Sequence, residues 1–326
     1  MSTFAHRPLI SVVIPSYNDR EIILPYFTAI SATLDGQDEF DYELIYVDDG
    51  SSDDSQQVLR ELAAGQQRVT YVELMRNYGQ QRALFAGLSE SKGDYVVTLD
   101  GDYQYEPEVI LQLVAALRSG FDLVSGVRKQ RKDNIKDVLT SRWGNAVIKA
   151  VLGIDVADFG AVKAFSRALV ERILVLRHYY SDVYPTAYAL RPTITEVPVD
   201  HRERLSGTSH WNTWMRLRVY ADIYMAYTDD QFQTPFKLGA NLSLLGATGG
   251  SALTLYKAVL SHAMSFVEIW FATFVVVVLG ISAMAWSLTM ALLSRIYKQN
   301  ISRQPYAVRA VYGAGEASIR TSDSTD

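Results

Sequence analysis

Four carboxylates stand where a chain most easily builds chemistry. Asp100 and Asp102 flank Gly101, while Asp48 and Asp49 precede Gly50 and Ser51. Two carboxylates one residue apart, with a glycine between them to permit a tight turn, can hold a hard divalent cation. Such a cation can neutralise a diphosphate leaving group. Taken alone, an acidic pair at a turn has a plainer reading, in which it is solvated or caps the next helix. Context favours the first reading, because each pair closes an apolar segment, YELIYV before Asp48 and YVVTL before Asp100. A third such end, Pro15-Ser16-Tyr17-Asn18, follows LISVVI.

These ends need a scaffold that brings them together. Leu9 to Ile14, Tyr42 to Val47, Val69 to Leu74, Tyr95 to Leu99 and Leu123 to Val127 read as strands, and the intervening Ile22 to Leu34, Asp53 to Ala64, Gln80 to Ser91 and Pro107 to Ser119 read as helices. That alternation predicts an α/β domain with a mainly parallel sheet covered on both faces. In such sheets ligands bind at the carboxyl ends of strands, so the three ends are expected to converge on one crevice.

Composition removes many other readings. The chain has 326 residues, 48% of them hydrophobic, and 31 Lys+Arg against 36 Asp+Glu give a net charge of −5. No broad basic face for nucleic acid is expected. The absence of cysteine excludes disulfides, thiolate metal sites and cysteine nucleophiles. His6, His178, His201, His210 and His262 are scattered without an HExxH pair. No GxxxxGK[ST] loop is present, and GATGG at Gly246 to Gly250 lies in a hydrophobic stretch, where it reads as helix packing rather than a dinucleotide fingerprint. The Arg142-Trp143 pair has Leu139 where a processive polysaccharide synthase would carry glutamine.

Two segments read as a transmembrane hairpin. Phe266 to Leu293 carries one charge, at Glu268, and exceeds the ~20 residues that cross a bilayer. Leu238 to Tyr256 carries none but is rich in Gly, Ser and Thr, so a buried helix or a re-entrant segment is the alternative there. Arg202, Arg204, Arg216, Arg218 and Lys237 precede the hairpin, Arg295, Lys298, Arg303 and Arg309 follow it, and only Lys257 lies between, which places both termini in the cytoplasm. The start, MSTFAHRPLISVVIP, has no signal-peptide pattern. Trp211 to Phe232 mixes aromatic and basic residues as a helix in the headgroup layer does, although packing on the domain would also suit it. The polar tail after Tyr312 reads as disordered.

The order IPSYN, VDDGSSD, RNYGQ, TLDGDYQ resembles the nucleotide-sugar domain of inverting family-two glycosyltransferases with the GT-A fold. HRERLSGTSHW and the hairpin narrow the resemblance to polyprenyl-phosphate glycosyltransferases, a group that includes dolichol-phosphate mannose synthases, bactoprenol glucosyltransferases and undecaprenyl-phosphate formamido-arabinose transferases. The last are most similar, through RNYGQ, SGVRKQR, ADFGAVKAFSR and SRIYKQNISRQP. The similarity runs from Leu9 to Tyr306.

The resemblance implies a cytoplasmic GT-A catalytic domain over residues 1–200, an acceptor-phosphate motif and interfacial helix over 201–235, the hairpin over 236–293 and a cytoplasmic tail over 294–326. It implies an integral plasma-membrane enzyme that moves a sugar from a nucleotide-sugar, preferably UDP-linked, to a polyprenyl phosphate with inversion. Pro15, Tyr17, Asn18, Asp48, Asp49 and Asp100 would hold the nucleotide. Asp100, Asp102 and Gln104 would contact Mg²⁺ or Mn²⁺ and the diphosphate. Asp158 matches the acidic residue assigned as base, with Asp102 beside it in the catalytic set, and Arg202, Arg204, Ser209 and His210 would meet phosphate groups. Two guanidiniums in an extended RER segment suit phosphate on physical grounds as well, with a positive-inside flank as the alternative. The chain departs from the family with Asp19 for the usual Glu, DGD for DAD, and His210 for Lys. A homo-oligomer, a different acceptor, and a non-catalytic nucleotide-binding scaffold are also compatible with these residues.

Overall fold

The computed structural model describes residues 7–128, 162–177, 182–200, 266–300, 306–313 and 316–318, with scattered helical positions between 239 and 256. Two compact units result, one from residues 1–223 with 303–326 and the other from 224–302.

The larger unit is built on β1 (Leu9–Ser16), β2 (Asp41–Asp48), β3 (Val69–Leu74), β4 (Tyr95–Thr98), β5 (Leu123–Arg128), β6 (Lys163–Ser166), β7 (Ile194–Val199), β8 (Val308–Gly313) and β9 (Glu316–Ser318). They form one sheet in the order β7-β5-β6-β4-β1-β2-β3-β8-β9. β1 is buried along nearly its whole length, because helices cover both faces and alternation would put polar groups into the core. The helices are α1 (Arg20–Asp35), α2 (Ser55–Gly65), α3 (Gln80–Glu90), α4 (Glu108–Leu117), α5 (Arg167–Val175) and α6 (Val183–Ala189). α1 buries Ile22, Tyr26, Ile30 and Leu34 at four-residue spacing, the stripe that one helix face requires. Each such apolar side chain contributes roughly 1.5–3 kcal/mol when fully buried.

The sheet is mixed, which corrects the expectation of a mainly parallel one. β1 with β2, β1 with β4, β2 with β3 and β5 with β7 pair in parallel. β6 runs antiparallel between β4 and β5, and β8 and β9 extend the other edge antiparallel to β3. β8 and β9 come from the segment after residue 303, so part of the sequence read as a polar tail completes the sheet. Glu73 on β3, fully buried, fastens it by accepting from Arg60, Arg309 and the Tyr312 hydroxyl at 2.9, 3.0 and 3.2 Å.

The smaller unit holds α7 (Phe266–Asn300) and helical residues from 239–256. Small residues let these approach closely: a Cβ on Gly239 would stand 2.8 Å from the Gly280 carbonyl, and one on Gly246 would stand 2.7 Å from Val276. The GATGG run is thus packing surface. Among the described residues no helix is long and apolar enough to cross a membrane. The described part of 239–256 is rich in Gly, Ser and Thr, and the continuous α7 carries Gly280, Ser282, Ser287 and Thr289 among its apolar residues. The expected transmembrane hairpin is therefore withdrawn, and with it the membrane anchoring, the plasma-membrane placement and the cytoplasmic orientation argued from it. The interfacial helix expected within 201–235 lies outside the described residues.

Candidate active site

Three loops meet at the carboxyl ends of β1, β2 and β4, as parallel pairing of these neighbours requires. The first two are laced together by main-chain and side-chain bonds. Asn18 takes a left-handed φ of 57°, which asparagine tolerates better than most residues. Its Oδ1 accepts from Ser52 N at 2.8 Å, and its own N donates to Ser51 Oγ at 2.9 Å. Asp49 N donates to the Ser16 carbonyl at 2.9 Å. Tyr17, by contrast, projects outward and is 44% exposed.

Asp48 and Asp49 face the protein's own donors. Asp48 is fully buried and accepts from Ser51 N at 3.1 Å and Gln56 Nε2 at 3.2 Å. Asp49 accepts from Tyr78 N at 2.7 Å and Gly79 N at 2.8 Å, which ties the loop after β3 to the turn after β2. Burial raises the pKa of both carboxyls, and these hydrogen bonds oppose the rise. Gly50, at φ 71°, closes the turn against the backbone of Arg76 and Asn77, where no side chain fits.

The acidic loop after β4 is held from three sides. Gly101 lies on the Pro15 carbonyl so closely that a Cβ would fall well inside contact distance. Tyr103 adopts φ 55°, an uncommon state for an aromatic residue. Its ring stacks on Tyr26 of α1 with centroids 4.4 Å apart, and Tyr26 Oη donates to the Tyr105 carbonyl at 3.3 Å. Gln80, at the start of α3, donates from Nε2 to Asp100 Oδ1 at 2.6 Å. Asp102 Oδ1 accepts from Gln104 N at 3.3 Å.

Negative charge concentrates beside this loop. The Asp19 carboxyl is raised to about 6, mainly by burial and further by the charges of Asp102 and Asp53. Asn18, Asp19, Arg20, Glu21 and Asp53 line a pocket of about 210 Å³. Among the described residues no three His, Asp or Glu side chains form a metal cage. Asp100, Asp102 and Gln104 nonetheless fit a Mg²⁺-like or Mn²⁺-like ion, because such ions are commonly held by one or two carboxylates and completed by substrate phosphates and water.

Pro15 and Asp48 thus close β1 and β2, and Tyr17, Asn18, Asp49, Asp100, Asp102 and Gln104 lie on the loops that follow β1, β2 and β4. Asp158, Arg202, Arg204, Ser209 and His210 lie outside the described residues. Gln80, which donates to Asp100, was not among the residues expected at the site, although RNYGQ between β3 and α3 was a recognisable signal. A side chain capable of donating, placed where a strand gives way to a helix, faces the same crevice as its neighbours.

The family model described as "Glycosyl transferase family 2" matches residues 11–172. The undecaprenyl-phosphate 4-deoxy-4-formamido-L-arabinose transferase of Edwardsiella ictaluri is 32% identical over 320 residues, covering 97% of this chain and 98% of that protein. The protein of the same name from Proteus mirabilis is 32% identical over 322 residues, covering 96% and 97%. Among solved structures, glucosyl-3-phosphoglycerate synthase from Mycobacterium tuberculosis in complex with phosphoglyceric acid gives a TM-score of 0.51 at 26% identity, covering 68% of this chain and 80% of that one. The same synthase with Mn²⁺, UDP and glucosyl-3-phosphoglycerate gives 0.50 at 25% identity, with the same coverage. With its strand-end site on a mixed α/β sheet, the chain belongs to the inverting family-two glycosyltransferases of GT-A fold and is related to undecaprenyl-phosphate sugar transferases.

Proposed function

We propose that the enzyme transfers a sugar from a UDP-sugar to a polyprenyl phosphate with inversion at the anomeric carbon. The observation that carries this reading is the convergence of Asp100, Gln80 and the Asn18 loop at adjoining strand ends in a chain matching named undecaprenyl-phosphate transferases over nearly its full length. The UDP and Mn²⁺ bound by the M. tuberculosis synthase support the choice of donor and cofactor.

Tyr17 and Asn18 border the nucleoside on this reading, with Pro15 beneath them. Asp48 and Asp49 shape the nucleotide site by fixing the surrounding backbone, consistent with their buried hydrogen bonds. Asp100, Asp102 and Gln104 hold the divalent cation, which when bound stabilises charge developing on the departing UDP. Gln80 orients Asp100 for that task. The acceptor is a phosphate monoester, largely ionised near neutral pH, so Asp158 is assigned to orienting it more than to removing a proton. Arg202 and Arg204, with Ser209 and His210, are assigned to its phosphate oxygens.

Transfer from a panel of radiolabelled UDP- and GDP-sugars to undecaprenyl phosphate in detergent, with Mg²⁺ or Mn²⁺, tests the reading. Labelled lipid from a UDP donor, absent with Asp102→Ala or with chelator, is the expected result. Nucleotide binding without transfer from any donor would favour a scaffold instead.

A further inference from the structure

A buried cation lies behind the strand that leads to Asp100. Lys163 opens β6 directly opposite Thr98, the last residue of β4, and opposite Ser125 of β5. It is 0% exposed. Lys163 Nζ donates to Ser125 Oγ at 3.2 Å and stands 4.8 Å from the ring centroid of Tyr184 and 5.5 Å from that of Tyr188, both on α6. The Tyr188 hydroxyl shares Ser125 Oγ, at 3.3 Å. Lysine is almost never fully buried without partners, since an apolar residue would fill the same space without desolvating a charge.

Tyr184 connects this box to the site. Its hydroxyl and Thr98 Oγ1 are 3.1 Å apart, and Thr98 stands two residues before Asp100. Its backbone N donates to Gln81 Oε1 at 3.2 Å, and Gln81 is the neighbour of Gln80, whose amide holds Asp100. The Tyr184 hydroxyl is held above its ordinary pKa by burial and, after that, by the Asp100 charge, so the two groups sense one another.

We propose that Lys163 is a positioning residue for the acidic loop: by clamping the Tyr184 ring it fixes Tyr184 against Thr98, two residues before Asp100, and against Gln81, the neighbour of the Gln80 that donates to Asp100. The attraction of an ammonium for an aromatic face supplies the clamp, and it is stronger when desolvated, as here. This role rests on the assignment of Asp100 to the cation and diphosphate site made above.

The test uses the full chain and measures Mn²⁺ affinity in the presence of UDP, from the paramagnetic signal of free Mn²⁺, with no turnover involved. Lys163→Met is expected to weaken Mn²⁺ affinity about tenfold and to lower kcat with little change in the KM for the lipid acceptor. Lys163→Arg, which keeps the charge, is expected to recover at least half of that loss on a logarithmic scale. A folded Lys163→Met protein with unchanged Mn²⁺ affinity overturns the proposal, even where its melting temperature falls, because packing alone then accounts for the residue. If Lys163→Met does not fold, Ser125→Ala removes the ammonium's hydroxyl acceptor and carries the same measurement: weakened Mn²⁺ affinity supports the role and unchanged affinity overturns it. Wild-type protein that binds no Mn²⁺ with UDP overturns the cation-site assignment itself, which separates the two failures.

Discussion

The Gln80 side-chain amide donates to Asp100 Oδ1 across 2.6 Å, joining the first turn of α3 to the loop that follows β4. The bond spans two loops that the chain visits 20 residues apart. It leaves the second Asp100 oxygen to other partners and fixes the direction in which the carboxylate points.

Gln80→Ala is expected to lower kcat/KM for the nucleotide-sugar by roughly tenfold, since Asp100 loses the bond that fixes its direction and a tenfold change corresponds to about 1.4 kcal/mol of transition-state stabilisation. Melting temperature should change little, because the bond lies at an exposed position. Steady-state kinetics beside thermal unfolding check both.

Gly101→Ala is expected to displace the acidic loop. The added Cβ would press on the Pro15 carbonyl and stand 3.2 Å from Asp19 Oδ2, so either β1's end or the loop must move. Loss of about 1–3 kcal/mol of stability, with at least tenfold weaker Mn²⁺ binding, is the outcome to look for by denaturant titration and metal titration. Retention of both would mean that the loop accommodates alanine, as the usual DAD of the family does.

Asp49→Asn replaces one carboxylate oxygen with an amide nitrogen. Tyr78 N and Gly79 N both donate to this carboxylate, so one would lose its acceptor and meet a donor instead. A cost of about 1–3 kcal/mol is expected. Faster proteolysis near residues 76–80 should accompany it, and Asp49→Glu should not restore the wild-type pattern.

Asp19 gives the metal-free protein a pH dependence. Its carboxyl moves from 3.8 when unfolded to about 6 when folded, so between those values the native state keeps a proton that the unfolded chain has released. This contribution to stability is present at low pH and is lost as pH rises to about 6. Relative to Asp19→Asn, wild type should therefore become progressively less stable across that window and differ by a constant amount above it. Thermal unfolding in EDTA from pH 4.5 to 7.5 measures the difference.

Glu73 and Arg309 should be energetically coupled. The buried carboxylate accepts from Arg309 Nη1 at 3.0 Å and draws β8 onto β3. A double-mutant cycle with Glu73→Gln and Arg309→Ala should return a coupling of about 0.5–3 kcal/mol. Additive losses would show that the pair contributes nothing beyond its separate contacts.

Local pattern was enough to mark β1 to β5, α1 to α4 and the three strand ends, because buried parallel strands must be apolar throughout and their helices must carry one apolar stripe. It also placed the Asn18, Asp48 and Asp100 turns on one side of the sheet, since parallel neighbours bring like ends together. The antiparallel insertion of β6 and the return of β8 and β9 were not legible. Pairing Leu74 with Val308 or Thr98 with Lys163 depends on contacts between residues far apart in sequence, which no local periodicity encodes. The apolar runs in 236–293 misled, because a run of apolar letters does not show how the segment is built in the fold, and among the described residues no helix is long and apolar enough to cross a membrane. Likewise the types of Gln80, Tyr26 and Lys163 were visible as letters, but only tertiary packing aimed the first at Asp100, laid the second beneath Tyr103 and enclosed the third between Tyr184 and Tyr188. Residue types and their spacing marked the groups suited to the chemistry, and folding settled which of them support one another, because hydrogen bonds and ring contacts act over a few ångströms regardless of distance along the chain.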